Sequence, residues 1–271
     1  MPKFLRPFIF IPCLASIMFM VGCASRSHTA ASPSLVRAQP TDAPAKVDRY
    51  LSPEAGARCV EEFVAPYRVN GKVLQFPGVA NTMERTIVSQ VIATNSPAVA
   101  AASEADNAST ELDSLWDFRQ VLGGDFSPAN CPHIQEFIRV AFLDAKRVNT
   151  AVKKEFMRPR PGEADPDHPK MNPSFPSGHS STAGLRYRLL TEVTSASPER
   201  ELALCRHAWF MCFERLGVNA HYASDIAAGF VLGEVVADEV LRETREHPDG
   251  DAAKALAAAK AEWGRLQEHA H

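Results

Sequence analysis

The sequence predicts an all-α fold, a helical bundle. Apolar residues recur every three or four positions over long stretches, and Pro, Gly and Ser residues stand where these stretches begin or end. No stretch convincingly alternates apolar and polar residues as a half-buried strand does, and no internal repeat is visible. These observations favour helices packed on one another over a sheet-based architecture.

The clearest helix follows Pro132. One of its faces carries apolar residues at helical spacing, namely Ile134, Phe137, Ile138, Ala141, Ala145, Val148 and Val152. The helix should end near Met157, because Pro159 and Pro161 cannot continue it and disfavour helical geometry in the residues before them. The stretch therefore predicts a long amphipathic helix with a buried face.

Five more helices are expected in the body of the chain. Two precede the long helix, over residues 82–94 and 112–122, with an Ala-rich segment between them. Three follow it, over about 178–193, 198–217 and 224–246. A Ser-Pro pair at 197–198 suits the start of the second of these, and a glycine at 217 can close it.

Composition limits the class of protein. The chain has 271 residues, of which 45% are hydrophobic and 23% are charged, as in a globular protein that buries a core. The net charge is -3 and no basic stripe is visible, which disfavours nucleic acid as a partner.

The N-terminus is typical of an exported protein. Lys3 and Arg6 precede a mostly apolar run over residues 8–21, which is too short to span a membrane comfortably. The run leads to Cys23 in a sequence that resembles a bacterial lipobox. We therefore expect a lipoprotein-type signal peptide over residues 1–22 and acylation of Cys23. An ordinary cleaved signal peptide with an incidental Cys23 is the alternative.

Three segments are expected after the signal peptide. They are a flexible Ala-, Ser- and Pro-rich tether over residues 23–52, a helical domain over 53–246 and an exposed helical tail over 247–271. The apolar run 226–237 is interrupted by Glu234, which indicates a buried helix face. We expect a bacterial periplasmic location, with membrane contact only through a lipid anchor at Cys23.

Four cysteines follow Cys23 in the sequence. Cys205 and Cys212 are seven residues apart on one predicted helix, about 10 Å along its axis, which is too far for a disulfide. We expect both to be core thiols, while a Cys59–Cys131 disulfide stays open. No Cys or His spacing indicates a metal site.

Three clusters of polar residues carry the chemistry. They are Lys153 with Arg160-Pro161, then Pro176-Ser177-Gly178-His179, and then Arg215 with His221 and Asp225. Each residue taken singly has an ordinary explanation as a surface charge, a helix cap or a structural histidine. Taken together they suit a phosphoryl group, whose charge requires fixed cations and N–H donors.

The three clusters supply both kinds of phosphate ligand. Lys153, Arg160 and Arg215 are cations, and a planar guanidinium can donate two parallel bonds to a phosphate. Ser177 offers a hydroxyl. Gly178 allows close approach of the main chain, and its N–H lies at a predicted helix start, where the dipole favours anions.

His221 and Asp225 provide a nucleophile and its orienting group. Because they are four residues apart, they would share a helix face, and Asp225 would also cap the helix. A carboxylate bound to one imidazole nitrogen leaves the other nitrogen free to attack. His179 would protonate the leaving oxygen. Since an ordinary histidine has a pKa of about 6.5, we expect an acidic to neutral pH optimum.

These clusters resemble the signature of the type 2 phosphatidic acid phosphatase superfamily, which includes bacterial class A nonspecific acid phosphatases and vanadium haloperoxidases. The stretches 153–161 (Lys-Lys-Glu-Phe-Met-Arg-Pro-Arg-Pro) and 173–180 (Pro-Ser-Phe-Pro-Ser-Gly-His-Ser) are most similar to the class A acid phosphatases. A looser resemblance extends from about residue 75 to residue 241.

The resemblance implies a role for each site residue. His221 would be the nucleophile that forms a phosphohistidine, Asp225 its orienting residue and His179 the general acid. The phosphate would be bound by Lys153, Arg160, Ser177, Gly178, His179 and Arg215. The family usually has Ser before this last arginine, where Glu214 stands here. We expect the Glu214 carboxylate to point away from the phosphate.

The resemblance also implies properties of the whole protein. It implies a helical bundle of the acid phosphatase/vanadium haloperoxidase type, no metal and no cofactor, inhibition by vanadate as a phosphate mimic, and often a homo-oligomer. The sequence therefore predicts an acid phosphatase that acts on a small phosphorylated substrate. A vanadate-dependent haloperoxidase and a non-catalytic envelope lipoprotein on the same fold are the alternatives. The loop over 162–173 and the N-terminal half should shape the leaving-group pocket.

Overall fold

Helices form the core of the protein, which confirms the predicted all-α class. The computed structural model describes residues 47–76, 78–94, 113–162 and 173–269. Its α-helices are α1 (Pro53–Val64), α2 (Gly78–Thr94), α3 (Arg119–Leu122), α4 (Pro132–Phe156), α5 (Gly178–Val193), α6 (Pro198–Gly217), α7 (Ala223–Glu246) and α8 (Asp251–His269). Short 3-10 helices cover Ala65–Tyr67 and Asp113–Phe118.

Several predicted features lie outside the described residues. They are the signal peptide, the acylation site Cys23, the tether up to residue 46, the Ala-rich segment and the loop residues 163–172. The domain boundaries stay predictions, although the last residues of the predicted tether already pack on the body. Leu51 is buried, and its N–H and that of Tyr50 donate to Oδ2 of Asp144 at 3.1 and 2.7 Å.

A small hairpin departs from the purely helical prediction. Strand β1 (Arg68–Val69) pairs antiparallel with strand β2 (Lys72–Val73). Between them Asn70 and Gly71 both have positive φ angles, 51° and 75°. The Asn-Gly dipeptide favours this kind of two-residue hairpin turn, so it is the local signal that the helical prediction overlooked.

Helix α4 has the predicted amphipathic character. Its seven predicted core residues, Ile134, Phe137, Ile138, Ala141, Ala145, Val148 and Val152, are all buried. The helix is closed by Met157, which has a φ of 46° and donates its N–H to the carbonyl of Lys153 at 3.0 Å. Pro159 follows and prevents another helical turn. Lys153 therefore lies in the last turn of α4, just before the chain changes direction.

The helix predicted over residues 112–122 is mostly a 3-10 helix, with a single α-helical turn at its end. Leu115 and Phe118 are both fully buried there. Residues three apart eclipse each other in a 3-10 helix, so the narrow helix directs both side chains to the core. Helix α2 begins at Gly78, four residues before the predicted start at Thr82.

Three glycines allow α5 and α7 to cross in direct main-chain contact. A Cβ at Gly184 would lie 2.2 Å from the carbonyl oxygen of Phe230, and one at Gly233 would lie 2.0 Å from that of Ser181. A Cβ at Gly229 would lie 2.3 Å from the carbonyl oxygen of Ser177. No real Cβ tolerates such distances, so this crossing requires glycine at all three positions. It brings the start of α5 beside the start of α7.

The predicted buried face of α7 is confirmed. Over the run 226–237, the buried residues are Ile226, Ala228, Gly229, Phe230, Leu232, Gly233, Val236 and Ala237. Within the described parts of the chain, no helix combines the length and apolarity that crossing a membrane requires.

The C-terminal helix α8 is docked rather than exposed, which corrects the prediction for the tail. Its residues Ala252, Leu256, Ala259 and Trp263 are buried. The Glu262 carboxylate accepts the N–H groups of His133 and Ile134 at 3.1 and 2.9 Å. These N–H groups belong to the first turn of α4 and have no partner within that helix. Glu262 therefore caps α4 from another helix.

No disulfide joins the described cysteines. Cys59 and Cys131, the pair that the sequence left open, are both buried thiols. Cys212 is fully buried, as expected of a core thiol, whereas Cys205 is only half-buried. Burial raises the pKa of the Cys212 thiol to about 12, so this group stays protonated and unreactive.

Candidate active site

Main-chain hydrogen bonds join the three motif segments. The N–H of Ser174 donates to the carbonyl of Arg158 at 2.8 Å, which connects the segment before α5 to the segment after α4. The N–H of Ser177 donates to the carbonyl of Asp225 at 2.9 Å, which connects the start of α5 to the first turn of α7. The three clusters are far apart in the sequence but meet at one place in the fold.

Lys153 and Arg160 bring two cations to this place. Nζ of Lys153 donates to the carbonyl oxygen of Pro173, and Nη1 of Arg160 donates to the carbonyl oxygen of Ala220 at 3.0 Å. Burial and the charge of Arg160 lower the pKa of Lys153 to about 8, against the opposite effect of Asp225. Lys153, Arg160 and Asp225 therefore lie within electrostatic reach of one another.

Ser177 and Gly178 form the start of α5. Ser177 is the N-cap, and its Oγ accepts the N–H and the hydroxyl of Ser180 at 3.3 and 3.1 Å. Gly178 is the first residue of the helix. The positive end of the α5 dipole therefore points into the region where the motifs meet, which favours an anion.

His221 and Asp225 face each other at the start of α7. Nδ1 of His221 lies 3.5 Å from Oδ2 of Asp225, and both residues are buried. They do not share a helix face as predicted, because α7 begins at Ala223 and His221 precedes it. Nor is Asp225 the N-cap, since that residue is Tyr222, whose N–H donates to Oδ2 of Asp225 at 2.9 Å. The same carboxylate oxygen therefore accepts the N–H of the N-cap residue and faces the imidazole.

Burial lowers the pKa of His221 to about 4, although Asp225 acts in the opposite direction. Burial also acts to raise the pKa of Asp225, but His221 and Arg158 outweigh it and hold that pKa below its ordinary value. At mildly acidic pH the pair is thus a neutral imidazole beside a carboxylate. Because the carboxylate faces Nδ1, Nε2 is the ring nitrogen of His221 that does not face Asp225.

His179 is the second residue of α5 and is exposed to solvent. Desolvation by nearby protein atoms nevertheless lowers the pKa of His179, with further contributions from the charges of Arg215, His221 and Arg160. The charges that act on His179 thus come from the first and third motifs. His179 therefore lies in the same site as His221, at its solvent-facing side.

Arg215 is buried near the end of α6, and its charge acts on His179. The neighbouring Glu214, which stands where the family usually has Ser, is half-buried, and its charge acts on the thiol of Cys212. Its expected orientation away from the phosphate stays a prediction.

Two charged residues that were not predicted from the sequence, Arg158 and Glu84, lie directly behind Asp225. Nη1 of the fully buried Arg158 donates to Oδ1 of Asp225 at 2.7 Å. Nη2 of Arg158 donates to Oε1 of Glu84 at 2.9 Å, and Glu84 also accepts the N–H of Ser224 at 3.0 Å. Arg158 lies within a stretch that carried the family resemblance, but its partner Glu84 is 74 positions away. No local pattern could connect them.

The polar residues of the site suit an oxyanion. Its charged donors are lysine and arginine side chains, which attract phosphate and repel metal cations. Within the described ranges there is no group of three or more His, Cys, Asp and Glu side chains that could hold a metal ion.

Comparison with known proteins supports the family assigned from the motifs. Residues 138–245 match a family model described as the PAP2 superfamily. The resemblance to the PAP2 superfamily is confirmed. The matched range, called here the PAP2 segment, contains all three clusters, whereas Glu84 lies outside it.

Two curated relatives are similar over part of their length. Non-specific acid phosphatases of Salmonella typhimurium and Salmonella typhi are 29% and 27% identical to the chain over 128 residues. Each alignment covers 44% of this chain and 50% of the relative, so the chain spans about half the length of the curated relatives it matches. Among solved structures, a transmembrane PAP2-type phosphatidylglycerolphosphate phosphatase from Bacillus subtilis aligns with a TM-score of 0.48 and 16% identity. That alignment covers 72% of this chain and 96% of the other.

Proposed function

We propose that the protein is a phosphomonoester hydrolase that uses no metal ion and forms a phosphohistidine on Nε2 of His221. The observation that supports this most strongly is the arrangement around His221. A buried imidazole faces the Asp225 carboxylate through Nδ1, and the cations Lys153 and Arg160 act on it. The names of the curated relatives and the family of the PAP2 segment support the same reaction.

In the proposed first step, the phosphate is bound by Lys153, Arg160, Arg215 and the N-terminus of α5. Nε2 of His221 attacks the phosphorus, and the bond from phosphorus to the leaving oxygen breaks. His179 donates its proton to that oxygen, so the product leaves as a neutral alcohol. Asp225 stabilises the positive charge that develops on the imidazole of His221.

In the second step, water attacks the phosphohistidine. His179, now neutral, accepts a proton from the water as the new phosphorus–oxygen bond forms and the phosphorus–nitrogen bond breaks. Inorganic phosphate leaves, and His221 and His179 return to their initial states. The net reaction consumes one phosphomonoester and one water and releases one alcohol and one phosphate.

The lowered pKa of His179 bears on this proposal. With the site empty, His179 is largely neutral at mildly acidic pH, because its ring is desolvated and Arg215 and Arg160 repel a further positive charge. A bound phosphate dianion offsets these cations and raises the pKa of His179. The substrate itself therefore favours the protonated form that the first step requires.

The test is hydrolysis of para-nitrophenyl phosphate by the purified protein from pH 4 to pH 8. We expect activity that survives a chelator, is inhibited by vanadate and is lost in a folded His221→Ala variant. Hydrolysis by folded His221→Ala at the wild-type rate would refute the nucleophile. Halide oxidation that requires peroxide and added vanadate, without hydrolysis, would favour the haloperoxidase alternative. A folded protein without either activity would favour the non-catalytic one.

The proposal also covers the location of the protein in the cell and the size of its substrate. The signal peptide and Cys23 predict a lipid-anchored periplasmic protein. We expect its site to act on small phosphorylated molecules. Labelling of the protein in bacteria by a fatty-acid analogue, lost in Cys23→Ser, is the expected result. Unchanged labelling in the variant would contradict acylation at this cysteine.

A further inference from the structure

Arg158 is bonded on all sides by protein groups. Its Nη1 donates to Oδ1 of Asp225 and to Oγ of Ser224, both at 2.7 Å. Its Nη2 donates to Oε1 of Glu84 at 2.9 Å, and its Nε donates to Oδ1 of Asn81 at 3.0 Å. The side chain has no exposed surface. The guanidinium of Arg158 is therefore a buried cation that cannot touch a substrate directly.

Two aromatic rings fix the plane of this guanidinium. The Arg158 Cζ lies 3.9 Å from the ring centroid of Phe76 and 3.9 Å from that of Tyr222. Cation–π attraction on both faces and hydrogen bonds around the edge leave the group one orientation. Phe76 comes from the segment before α2 and Tyr222 is the N-cap of α7, so two distant parts of the chain determine that orientation.

The two oxygens of Asp225 have different partners. Oδ1 accepts from Arg158, whereas Oδ2 accepts the N–H of Tyr222 at 2.9 Å and faces Nδ1 of His221 at 3.5 Å. A carboxylate bound at Oδ1 by a fixed guanidinium cannot rotate about its axis. By fixing Oδ1, Arg158 thus determines the position of Oδ2 relative to the imidazole of His221.

We propose that Arg158, held by Glu84, is a positioning residue that orients the Asp225 carboxylate and limits its effective negative charge at His221. This inference rests on the proposed function, because it concerns the same nucleophile. It adds Glu84, which the family match does not cover, to the residues that control the reaction.

The charge of Arg158 should also influence the pH range in which the imidazole of His221 is neutral. The charged and titratable groups around the His221–Asp225 pair are Lys153, Arg158 and Arg160 at the end of α4 and after it, His179 on α5, Arg215 on α6, and Glu84 and Arg85 on α2. Arg158 offsets part of the negative charge of Asp225. Removing this cation favours the protonated imidazole, and removing the Glu84 anion favours the neutral one.

The two variants Arg158→Gln and Glu84→Gln therefore shift the pH profile in opposite directions. The nucleophile must be neutral, so the acid limb of kcat/KM follows the pKa of His221. We expect Arg158→Gln to move this limb to higher pH, and Glu84→Gln to move it to lower pH, each by about half a unit or more. We also expect kcat of Arg158→Gln to fall about tenfold or more, because the carboxylate loses its fixed orientation.

The control is Arg147→Gln. Arg147 forms a comparable pair with a buried carboxylate, that of Asp144, at 2.9 Å, but this carboxylate accepts the N–H groups of Tyr50 and Leu51 and is not the one that faces His221. Its loss should leave the acid limb in place. A purely structural role for Arg158 would lower the amount of active enzyme and scale the whole profile without shifting it, which would overturn the proposal.

A second measurement does not depend on activity. The pKa of the His221 imidazole can be followed by NMR in histidine-labelled protein, with His221→Gln used to assign the signal. A higher pKa in Arg158→Gln and a lower one in Glu84→Gln support the inference even if no phosphoester is hydrolysed. Equal pKa values in wild type and Glu84→Gln overturn it, even where Arg158→Gln does not fold. Lack of hydrolysis by the wild type would count against the proposed function alone.

Discussion

The main chain of Gly229 lies directly against the carbonyl oxygen of Ser177, where a Cβ would be only 2.3 Å away. Ser177 caps α5 and donates its N–H to the main-chain carbonyl of Asp225 at 2.9 Å. The contact therefore determines how the N-terminal end of α5 sits on α7, the helix that carries Asp225. Any side chain at position 229 separates the two helices at this point.

Gly229→Ala should accordingly lower both stability and activity. The added methyl group forces the two helices apart next to the site, and misplacement of about 1 Å can cost about 100-fold in rate. We expect kcat/KM for para-nitrophenyl phosphate to fall at least tenfold and the melting temperature to fall. The control is Gly264→Ala, an exposed helical position with no atom within 4 Å of the added Cβ. It should stabilise the protein by up to about 1 kcal/mol without changing activity. Wild-type kinetics in Gly229→Ala would contradict the close contact.

The hydrogen bonds of the Glu262 carboxylate predict an effect on stability alone. Glu262→Ala leaves two N–H groups at the start of α4 without their partner, as loss of a helix cap does. We expect the free energy of unfolding in urea to fall by about 1–2 kcal/mol with kcat/KM unchanged. Glu268→Ala, an exposed position on the same helix, should change it by less than about 0.5 kcal/mol. Equal effects of the two substitutions would rule out the capping role.

Loss of His179 should lower kcat/KM most for substrates with poor leaving groups. Para-nitrophenolate can leave without a proton, whereas an alkoxide requires one. His179→Asn should therefore lower kcat/KM for an alkyl phosphate by about 10²–10⁴-fold, and by much less for para-nitrophenyl phosphate. The exposed His247, in the turn after α7, provides the control variant His247→Asn, which should match the wild type. Equal losses on both substrates would assign His179 to phosphate binding instead of proton transfer.

The lowered pKa of Lys153 predicts a pH limit for phosphate binding. The free site loses this cation as the pH rises through about 8. Above that pH, the inhibition constant of inorganic phosphate should rise by up to about tenfold per pH unit, until the pKa of Lys153 in the complex is reached. Lys153→Met should bind phosphate weakly at every pH without this rise, and the exposed neighbour Lys154 provides the control Lys154→Met. A flat profile for the wild type would show that Lys153 does not contact the anion.

The sequence was most informative where structure follows from short-range patterns. Helix α4 and its end near Met157 were predictable from apolar spacing and from Pro159, and the three clusters from their residue types. The partners of Arg158 were not predictable, because Glu84 is 74 positions away and looks like an ordinary surface charge in the sequence. The shared helix face expected for His221 and Asp225 was wrong, because the four-residue rule applies within a helix and His221 precedes the first residue of α7, Ala223.

The main-chain hydrogen bond from Ser174 to Arg158 affects how this site can evolve. Every amino acid except proline supplies the N–H that this bond uses, so ordinary substitutions at position 174 do not remove it. Because Ser174 is fully buried, this tolerance applies to residues small enough to fit the position, which keep the link between the two segments. Neighbouring side chains can then change by neutral mutation. A new substrate preference can arise while the residues of the proposed reaction stay in place. Among the small residues Gly, Ala, Cys, Thr and Pro introduced at position 174, proline should lower activity most.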